Sequence, residues 1–181
     1  MHSHGLAHGD LKPENILIQA SNLDKALVEP HIKVKLIDFA NCFTLKDAEL
    51  VDDSSPDAIQ TLTYRAPEAF YNEEAFTLNV DSWSLGCILA ELSLLEPLFS
   101  GVSEKAVLGE ILDLVEKRNV KKEKATGMSH PLSGRSPKFC ELYARLAALD
   151  KDLAHFVVRL LHFEATKRMS PLSALQHKFF Q

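Results

Sequence analysis

The 181-residue sequence lacks the features of several protein classes. Its three cysteines, Cys42, Cys87 and Cys140, have no short metal-type spacing, so we expect reduced thiols in an intracellular protein of the cytoplasm or nucleus. No stretch approaches the roughly 18 apolar residues of a membrane span, and the polar, histidine-containing N-terminus is not typical of a signal peptide. The net charge of -5 argues against a nucleic-acid-binding surface. Composition therefore predicts one soluble domain whose partners are neither membranes nor nucleic acids.

The first half of the chain predicts a small hairpin followed by a long functional loop. Residues 16–19 and 33–37 suit two short strands, the second by its alternation of polar and apolar side chains, and the polar residues 20–30 suit the loop between them. Residues 38–68 contain few periodic apolar positions and an acidic patch, so we expect an exposed loop that is longer than ordinary connections.

The second half predicts helices. Residues 80–95 are apolar on almost every face, which is typical of a buried central helix. Ser103 is suited to cap a second helix, and Ser170 followed by Pro171 is the favoured start of a last one over residues 170–179. Residues 153–161 also have a helical pattern, whereas the polar, lysine-rich residues 117–138 predict a surface insert. The predicted fold is α+β and mainly α, with a small β-hairpin near the N-terminus.

Three short motifs concentrate the chemistry of the chain. Residues 8–15, His-Gly-Asp-Leu-Lys-Pro-Glu-Asn, put a carboxylate, an ammonium and an amide into one loop before the apolar residues 16–18. Residues 38–40 read Asp-Phe-Ala, and residues 66–68 read Ala-Pro-Glu. Together these motifs resemble the catalytic loop, the metal-binding turn and the end of the activation segment of protein kinases. The resemblance implies one partial kinase domain over residues 1–181, corresponding to the C-terminal lobe, with the N-terminal lobe missing.

The resemblance also implies roles for particular residues in phosphoryl transfer from ATP to the Ser/Thr hydroxyls of protein substrates. Asp10 matches the catalytic aspartate that accepts the hydroxyl proton, and Lys12 matches the lysine that contacts the transferred phosphoryl group. Asn15 and Asp38 match the ligands of Mg²⁺, a cation that prefers oxygen donors. Leu17 matches the apolar residue beneath the adenine of ATP, although packing in the core explains it equally well.

Further residues match the supports of a kinase active site. His8 resembles the histidine that ties the catalytic loop to the metal turn, and Phe39 resembles the aromatic residue beside it. Asp81 matches the buried aspartate that receives backbone N–H groups of the catalytic loop. Thr61 lies where Ser/Thr kinases place a hydroxyl that bridges to the catalytic aspartate and lysine.

Other matches concern the end of the activation segment and the subfamily. Glu68 and Arg168 match an ion pair that joins this segment to the closing helices, and the less favoured alternative for Arg168 is a surface charge. Residues 63–68, 81–92 and 97–101 resemble the CMGC group, and within it the dual-specificity tyrosine-regulated and homeodomain-interacting kinases. Arg65 would then be the arginine of that group beside the peptide-docking loop, and the insert at about 117–138 lies where the group carries one.

The sequence departs from the kinase pattern at several positions. No glycine-rich phosphate loop, strand lysine or partner glutamate is recognisable, so this chain alone is expected to bind ATP weakly or not at all. Gly9 replaces an arginine that receives an activation-loop phosphate, which suggests control without such a phosphate. Ala40 replaces a glycine, so the metal turn is expected to be stiffer or shifted. Ala58 lies where the regulatory tyrosine of the subfamily would fall.

Three hypotheses follow from these matches and departures. The retained Asp10, Lys12, Asn15 and Asp38 favour a Ser/Thr kinase lobe, here a fragment that is inactive alone. The departures favour a pseudokinase or protein-interaction module, and the third alternative is a nonfunctional gene fragment. The face around Leu17 and Phe39 is expected to be exposed, and the isolated lobe is therefore expected to be poorly soluble.

Overall fold

A computed structural model of the chain describes residues 1–19, 33–44, 46, 60–71, 77–115 and 135–181. Its α-helices are α1 (Val80–Leu94), α2 (Glu104–Val115), α3 (Pro137–Leu149), α4 (Lys151–Leu160) and the short α5 (Pro171–Ala174). Its strands are β1 (Leu6–Ala7), β2 (Ile16–Gln19), β3 (Lys33–Leu36) and β4 (Phe43–Thr44). Single 3-10 turns cover His2–His4, Pro13–Asn15, Leu62–Tyr64, Pro67–Phe70, Ala165–Lys167 and Lys178–Phe180.

Helix α1 is the centre of the hydrophobic core. Trp83, Cys87 and Ala90 of this helix are buried, as the apolar pattern of residues 80–95 predicts. Trp83 stacks on Phe99, with 6.0 Å between the ring centroids. A Cβ atom added to Gly86 would come within 2.9 Å of the Leu161 side chain at the end of α4. Glycine at this position therefore lets the two helices pack closely.

The helices that surround α1 begin at capping residues. The Ser103 hydroxyl accepts a hydrogen bond from Ala106 N at the start of α2, and Ser170 accepts one from Ser173 N at the start of α5. Ser136 caps α3 in the same way by accepting from Phe139 N. Asp150 both ends α3 and caps α4, because its carboxylate accepts from the N–H groups of Asp152 and Leu153. These local bonds fix where each helix starts.

Two small antiparallel sheets hold the loops at one end of the helical core. Strands β2 and β3 pair with Ile16 opposite Leu36, which confirms the predicted hairpin strands. Strands β1 and β4 pair with Ala7 opposite Phe43, and this second sheet was not predicted. The two sheets therefore hold residues 8–15, and the turn after β3, between fixed strands.

Several element predictions need correction. Helix α3 was not predicted, because its first residues were assigned to the polar insert at 117–138, whereas the structure starts the helix at Pro137. The last predicted helix over 170–179 is broken after α5, and the His177 side chain instead accepts from Phe179 N in a separate turn. The first residues form a 3-10 turn over His2–His4, followed by β1.

The predicted exposure of residues 38–68 holds for residues 38–40 and is wrong for much of the described remainder. Gln60, Arg65, Ala66 and Glu68 are buried, and the segment contains strand β4. The acidic patch and Ala58 lie outside the described residues, as do the hairpin loop at 20–30 and the insert over 117–134. Within the described part of the chain, no helix has the length and apolar character that spanning a membrane requires.

Candidate active site

The backbone of the loop over residues 8–15 is hydrogen-bonded to the buried carboxylate of Asp81 on α1. Asp81 Oδ2 accepts from His8 N at 2.7 Å, and Oδ1 accepts from Gly9 N at 3.0 Å. The His2 ring also contacts this carboxylate, with 2.7 Å between Nε2 and Oδ2. A buried carboxylate needs such partners, and here they are the backbone of the loop that it holds.

His8 links this loop to the chain segment that precedes Asp38. The buried ring accepts a hydrogen bond from Asp10 N at Nδ1, 3.3 Å away, so its proton lies on Nε2. Nε2 then donates to Ile37 O at 3.0 Å. The ring centroid lies 5.3 Å from that of Phe39. One imidazole therefore connects the loop over residues 8–15 to residues 37–39, which are far from it in sequence.

Asp10, Lys12 and Thr61 form a compact network at the front of the loop. Asp10 Oδ1 accepts from both Thr61 N at 2.7 Å and the Thr61 hydroxyl at 2.8 Å. The Lys12 ammonium lies 2.9 Å from Asp10 Oδ2 and donates to Thr61 Oγ1 at 2.8 Å. The aspartate and lysine are thus held side by side by a residue from a different segment.

The pKa of Asp10 lies below its ordinary value. Burial alone raises this pKa, but hydrogen bonds from Lys12 and Thr61 and the positive charge of Lys12 outweigh the effect of burial. Asp10 is therefore a carboxylate at neutral pH.

Asn15 and Asp38 have the donor chemistry that Mg²⁺ requires. The Asn15 amide nitrogen donates to Asp10 O at 2.9 Å and approaches Asp10 Oδ2 at 3.4 Å, so the amide oxygen is the atom that could bind a cation. Ile37 N donates to Asn15 O at 3.0 Å, so the chain enters the Asp38 turn directly beside Asn15. An amide oxygen and an exposed carboxylate fit a hard cation that shares its remaining ligands with phosphate.

The two glycine-related departures have different structural outcomes. The left-handed position of the metal turn is Asp38 itself, with φ 61°, and Ala40 does not adopt a positive φ. Alanine at position 40 therefore causes no backbone strain. Gly9 has φ 77°, and a Cβ atom there would lie 2.2 Å from Asn41 O. This backbone conformation leaves no space for the arginine that kinases usually carry at that position.

Glu68 and Arg168 form a buried bidentate ion pair, so the surface reading of Arg168 is wrong. Arg168 Nη1 and Nη2 donate to the two Glu68 oxygens at 2.7 and 2.8 Å. The remaining guanidinium N–H groups donate to backbone carbonyls of Asn79, His162 and Phe163. All five N–H donors of this arginine are therefore used, and its guanidinium lies over the Trp83 ring.

Residues 60–66 form a buried turn between the Asp10 network and α1. The Arg65 guanidinium donates to Gln60 O and pairs with Glu104 of α2. Gln60 and Ser84 of α1 are both buried and bonded to each other at 2.8 Å. The sequence analysis singled out Arg65, as the arginine expected beside the peptide-docking loop, but missed Gln60, Ser84 and also His2. Uncharged side chains and a histidine carry no local signal that they will be buried, and the only available signal was their position beside recognised motifs.

Leu17 and Phe39 lie on an open apolar face. Their side chains are 48% and 52% exposed, which confirms the predicted exposure. The neighbouring hairpin residues Ile18 and Val34 are also exposed. Nothing in the described residues covers this face.

Comparison with known proteins identifies the family. The protein kinase domain model matches residues 1–180. The chain is 34% identical to cell division control protein 2 homolog 3 of Trypanosoma brucei brucei, with 99% of the chain and 55% of the relative covered. It is 31% identical to MAPK/MAK/MRK overlapping kinase of Mus musculus, with 100% of the chain and 40% of the relative covered.

Other relatives are of the same general kind. A glycogen synthase kinase 1 of Pyricularia oryzae is 28% identical, with 99% of the chain and 43% of the relative covered. Together with the cyclin-dependent and mitogen-activated kinases, these relatives are of the CMGC type. The chain spans between 40% and 55% of the length of these curated relatives. From the motifs, the bonded site and these matches together, the chain belongs to the protein kinase domain family.

Proposed function

We propose that this chain is the C-terminal lobe of a Ser/Thr protein kinase that transfers the γ-phosphoryl group of ATP to protein hydroxyls. The observation that carries the proposal is the network in which Lys12 and Thr61 hold the Asp10 carboxylate. Phosphoryl transfer depends mainly on alignment and charge stabilisation, which is the task of such a preorganised group. The relatives' greater length supports an N-terminal lobe elsewhere in the native polypeptide, which would supply most nucleotide contacts.

Each residue of the site has a role in this proposal. Asp10 orients the substrate hydroxyl and accepts its proton, and Lys12 stabilises negative charge on the transferred group. Asn15 and Asp38 hold Mg²⁺, which neutralises charge on the nucleotide phosphates when it is bound. Leu17 supports the adenine from the exposed hairpin face. His8, Phe39 and Asp81 hold the loop over residues 8–15 and the turn over residues 38–40 in fixed positions relative to each other.

The end of the activation segment has a structural role. Glu68 and Arg168 fix it to the helical core, and Arg65 fixes the turn beside the peptide-binding surface. We place residues 1–181 in one partial kinase domain, with the catalytic loop at 8–15, the activation segment at 38–68 and the insert at about 117–138. Within the CMGC type, we propose that it is closest to the dual-specificity tyrosine-regulated and homeodomain-interacting kinases, with an intracellular location.

The test is an activity assay of Asp10→Asn in the protein purified at its natural length. With ATP, Mg²⁺ and a protein substrate, we expect kcat to fall about 10²-fold to 10⁴-fold, the range of general-base catalysis. Glu14→Gln is the matched control, because it removes one carboxylate from an exposed position of the same loop. Retained kcat in Asp10→Asn would refute the proposed role. The 181-residue chain alone is expected to show no transfer.

The pH profile gives a second readout in the same assay. Because the pKa of Asp10 is held below its ordinary value, Asp10 stays deprotonated through the weakly acidic and neutral range. Any loss of activity between pH 5 and 7 must therefore come from the titration of other groups. We expect this part of the pH profile not to report the protonation of Asp10.

A second candidate function is a protein-interaction module without catalysis. The exposed large apolar residues Leu17, Val34 and Phe39 favour it, because such side chains are available to contact a partner. The two functions are separated by Asp10→Asn. A module without catalysis keeps its partner affinity in this variant, and its native-length form transfers no phosphoryl group.

A further inference from the structure

Gln60 is a buried, uncharged side chain that ties two segments together. Its Nε2 donates to Ser84 Oγ at 2.8 Å and approaches Val80 O at 3.4 Å, both on α1. Its Oε1 accepts from Ala66 N at 3.0 Å. Both ends of one amide are thus bonded, one to the central helix and the other to the far end of the turn. We name residues 60–66 the docking turn.

The backbone of Gln60 is held as firmly as its side chain. Its carbonyl oxygen accepts from Arg65 Nη2 at 3.2 Å and from Arg65 Nε at 3.4 Å. Ser84 Oγ, which accepts from Gln60, also contacts Tyr64 O at 2.8 Å, to which it can donate. Gln60 has φ 66°, a left-handed conformation that a residue other than glycine adopts only when its surroundings impose it. These bonds are the surroundings that impose it.

The docking turn reaches the candidate active site through the next residue. Thr61 N and the Thr61 hydroxyl both donate to Asp10 Oδ1, and Lys12 donates to the same hydroxyl. The peptide group that follows Gln60 therefore supplies one of the bonds that orient Asp10. A change in the conformation of Gln60 would rotate that N–H away from the carboxylate.

The cations of this region are already paired. Lys12 is bonded to Asp10 and Thr61, and Arg65 is bonded to Glu104 and to Gln60 O. Gly9 lies in the position of the usual phosphate-binding arginine, and its backbone leaves no room for a side chain. Among the described residues of the catalytic loop and the docking turn, no unpaired cation is left to receive a phosphate.

We propose that Gln60 is a positioning residue that orders the docking turn, and through Thr61 orients Asp10, without a phosphorylated residue. A neutral amide suits this task because it supplies a donor and an acceptor at once and brings no charge into a buried position. Unlike a phosphate group, the amide of Gln60 is part of the side chain and is not added or removed by enzymes. The turn is therefore ordered permanently rather than by a modification. The orienting role rests on the proposed kinase function, whereas the ordering of the turn does not.

Amide hydrogen exchange of the natural-length protein tests the ordering directly. Gln60→Met keeps the length of the side chain but removes both amide bonds, and Ser84→Ala removes the partner on α1. We expect amides of the docking turn to exchange about tenfold faster or more in each variant, since buried bonds are lost. If Gln60→Met fails to fold, Ser84→Ala alone carries the test.

Two matched controls separate this effect from general loosening. Ser93→Ala removes a serine of the same helix whose hydroxyl donates to Leu89 O within the helix, and Gln176→Met changes an exposed glutamine. Both controls should leave exchange of the docking turn unchanged. Phosphatase treatment of the wild type should also leave it unchanged. Faster exchange after phosphatase treatment, or unchanged exchange in Gln60→Met, would overturn the proposal.

Kinetics then test the orienting role separately. In an active natural-length kinase, Gln60→Met should lower kcat about tenfold and leave the KM for ATP unchanged, because Asp10 rather than the nucleotide is misplaced. An altered KM for ATP with unchanged kcat would overturn the orienting role. If the wild type transfers no phosphoryl group, the proposed function fails, and the exchange result still decides whether Gln60 orders the turn.

Discussion

The helical core and the β2–β3 hairpin differ in how far their side chains are enclosed. In the core, even the charged pair Glu68–Arg168 is buried, with every guanidinium N–H bonded. On the hairpin, the apolar Ile18 and Val34 are 55% and 62% exposed. The loop over residues 8–15 lies between β1 and β2 and is bonded to the core through Asp81. This contrast indicates that the core supplies most of the stability and that the exposed side chains of the hairpin contribute little to it.

The largest effect should come from breaking the buried ion pair of the core. Arg168→Met leaves Glu68 buried without its partner, and we expect a loss of about 3–5 kcal/mol in the free energy of unfolding. Urea titration of the natural-length protein measures this loss. Arg145→Met is the control, because Arg145 pairs with Glu96 at an exposed position, where a pair contributes about 1 kcal/mol or less. Similar losses of unfolding free energy in the two variants would contradict the contrast between enclosed and exposed side chains.

An intermediate effect should come from Gly9, where core and loop meet. Gly9→Arg restores the residue that kinases usually carry, yet we expect a loss of about 2 kcal/mol, from the left-handed backbone and the contact with Asn41 O. Gly109→Ala in α2 is the control, since a Cβ there meets nothing and should stabilise the helix by about 1 kcal/mol or less. Urea titration compares the two. A Gly9→Arg variant as stable as the wild type would show that the loop backbone can shift.

The smallest effect should come from the hairpin face. Leu17→Ala removes a half-exposed side chain, and we expect a change below about 1 kcal/mol. The same substitution at Leu146, which is fully buried on α3, should cost about 2–5 kcal/mol. Thermal and urea unfolding measure both. If Leu17→Ala were as costly as Leu146→Ala, the hairpin would belong to the core, and the division into two regions would be wrong.

The elements with strong local patterns could be predicted from sequence. The alternation in β3 and the apolar faces of α1 indicated both elements, because burial on one or all faces leaves a periodic trace. Helix α3 was missed although Ser136 and Pro137 form the same start signal that identified α5. The polar, lysine-rich residues before Ser136 indicated a surface insert, and the insert was extended over the first residues of the helix.

The candidate site divides in the same way. Motif residues such as Asp10 and Asn15 were predicted because their order along one loop is distinctive. The bonds of His2 and Gln60 were not predicted, because each links residues far apart in sequence. Strands β1 and β4 were missed for a related reason, since two-residue strands have no period and exist only through their long-range pairing.

The cap of α3 has a consequence for the length of the chain between α2 and α3. The Ser136 hydroxyl donates to Leu114 O near the end of α2 while it accepts from Phe139 N at the start of α3. Both ends of the intervening chain are therefore joined at one point of the core. Doubling the length of a closed loop costs only about 0.6 kcal/mol. We therefore expect that the sequence between the two helices can be lengthened, or replaced by a foreign recognition segment, with little loss of stability in the helices.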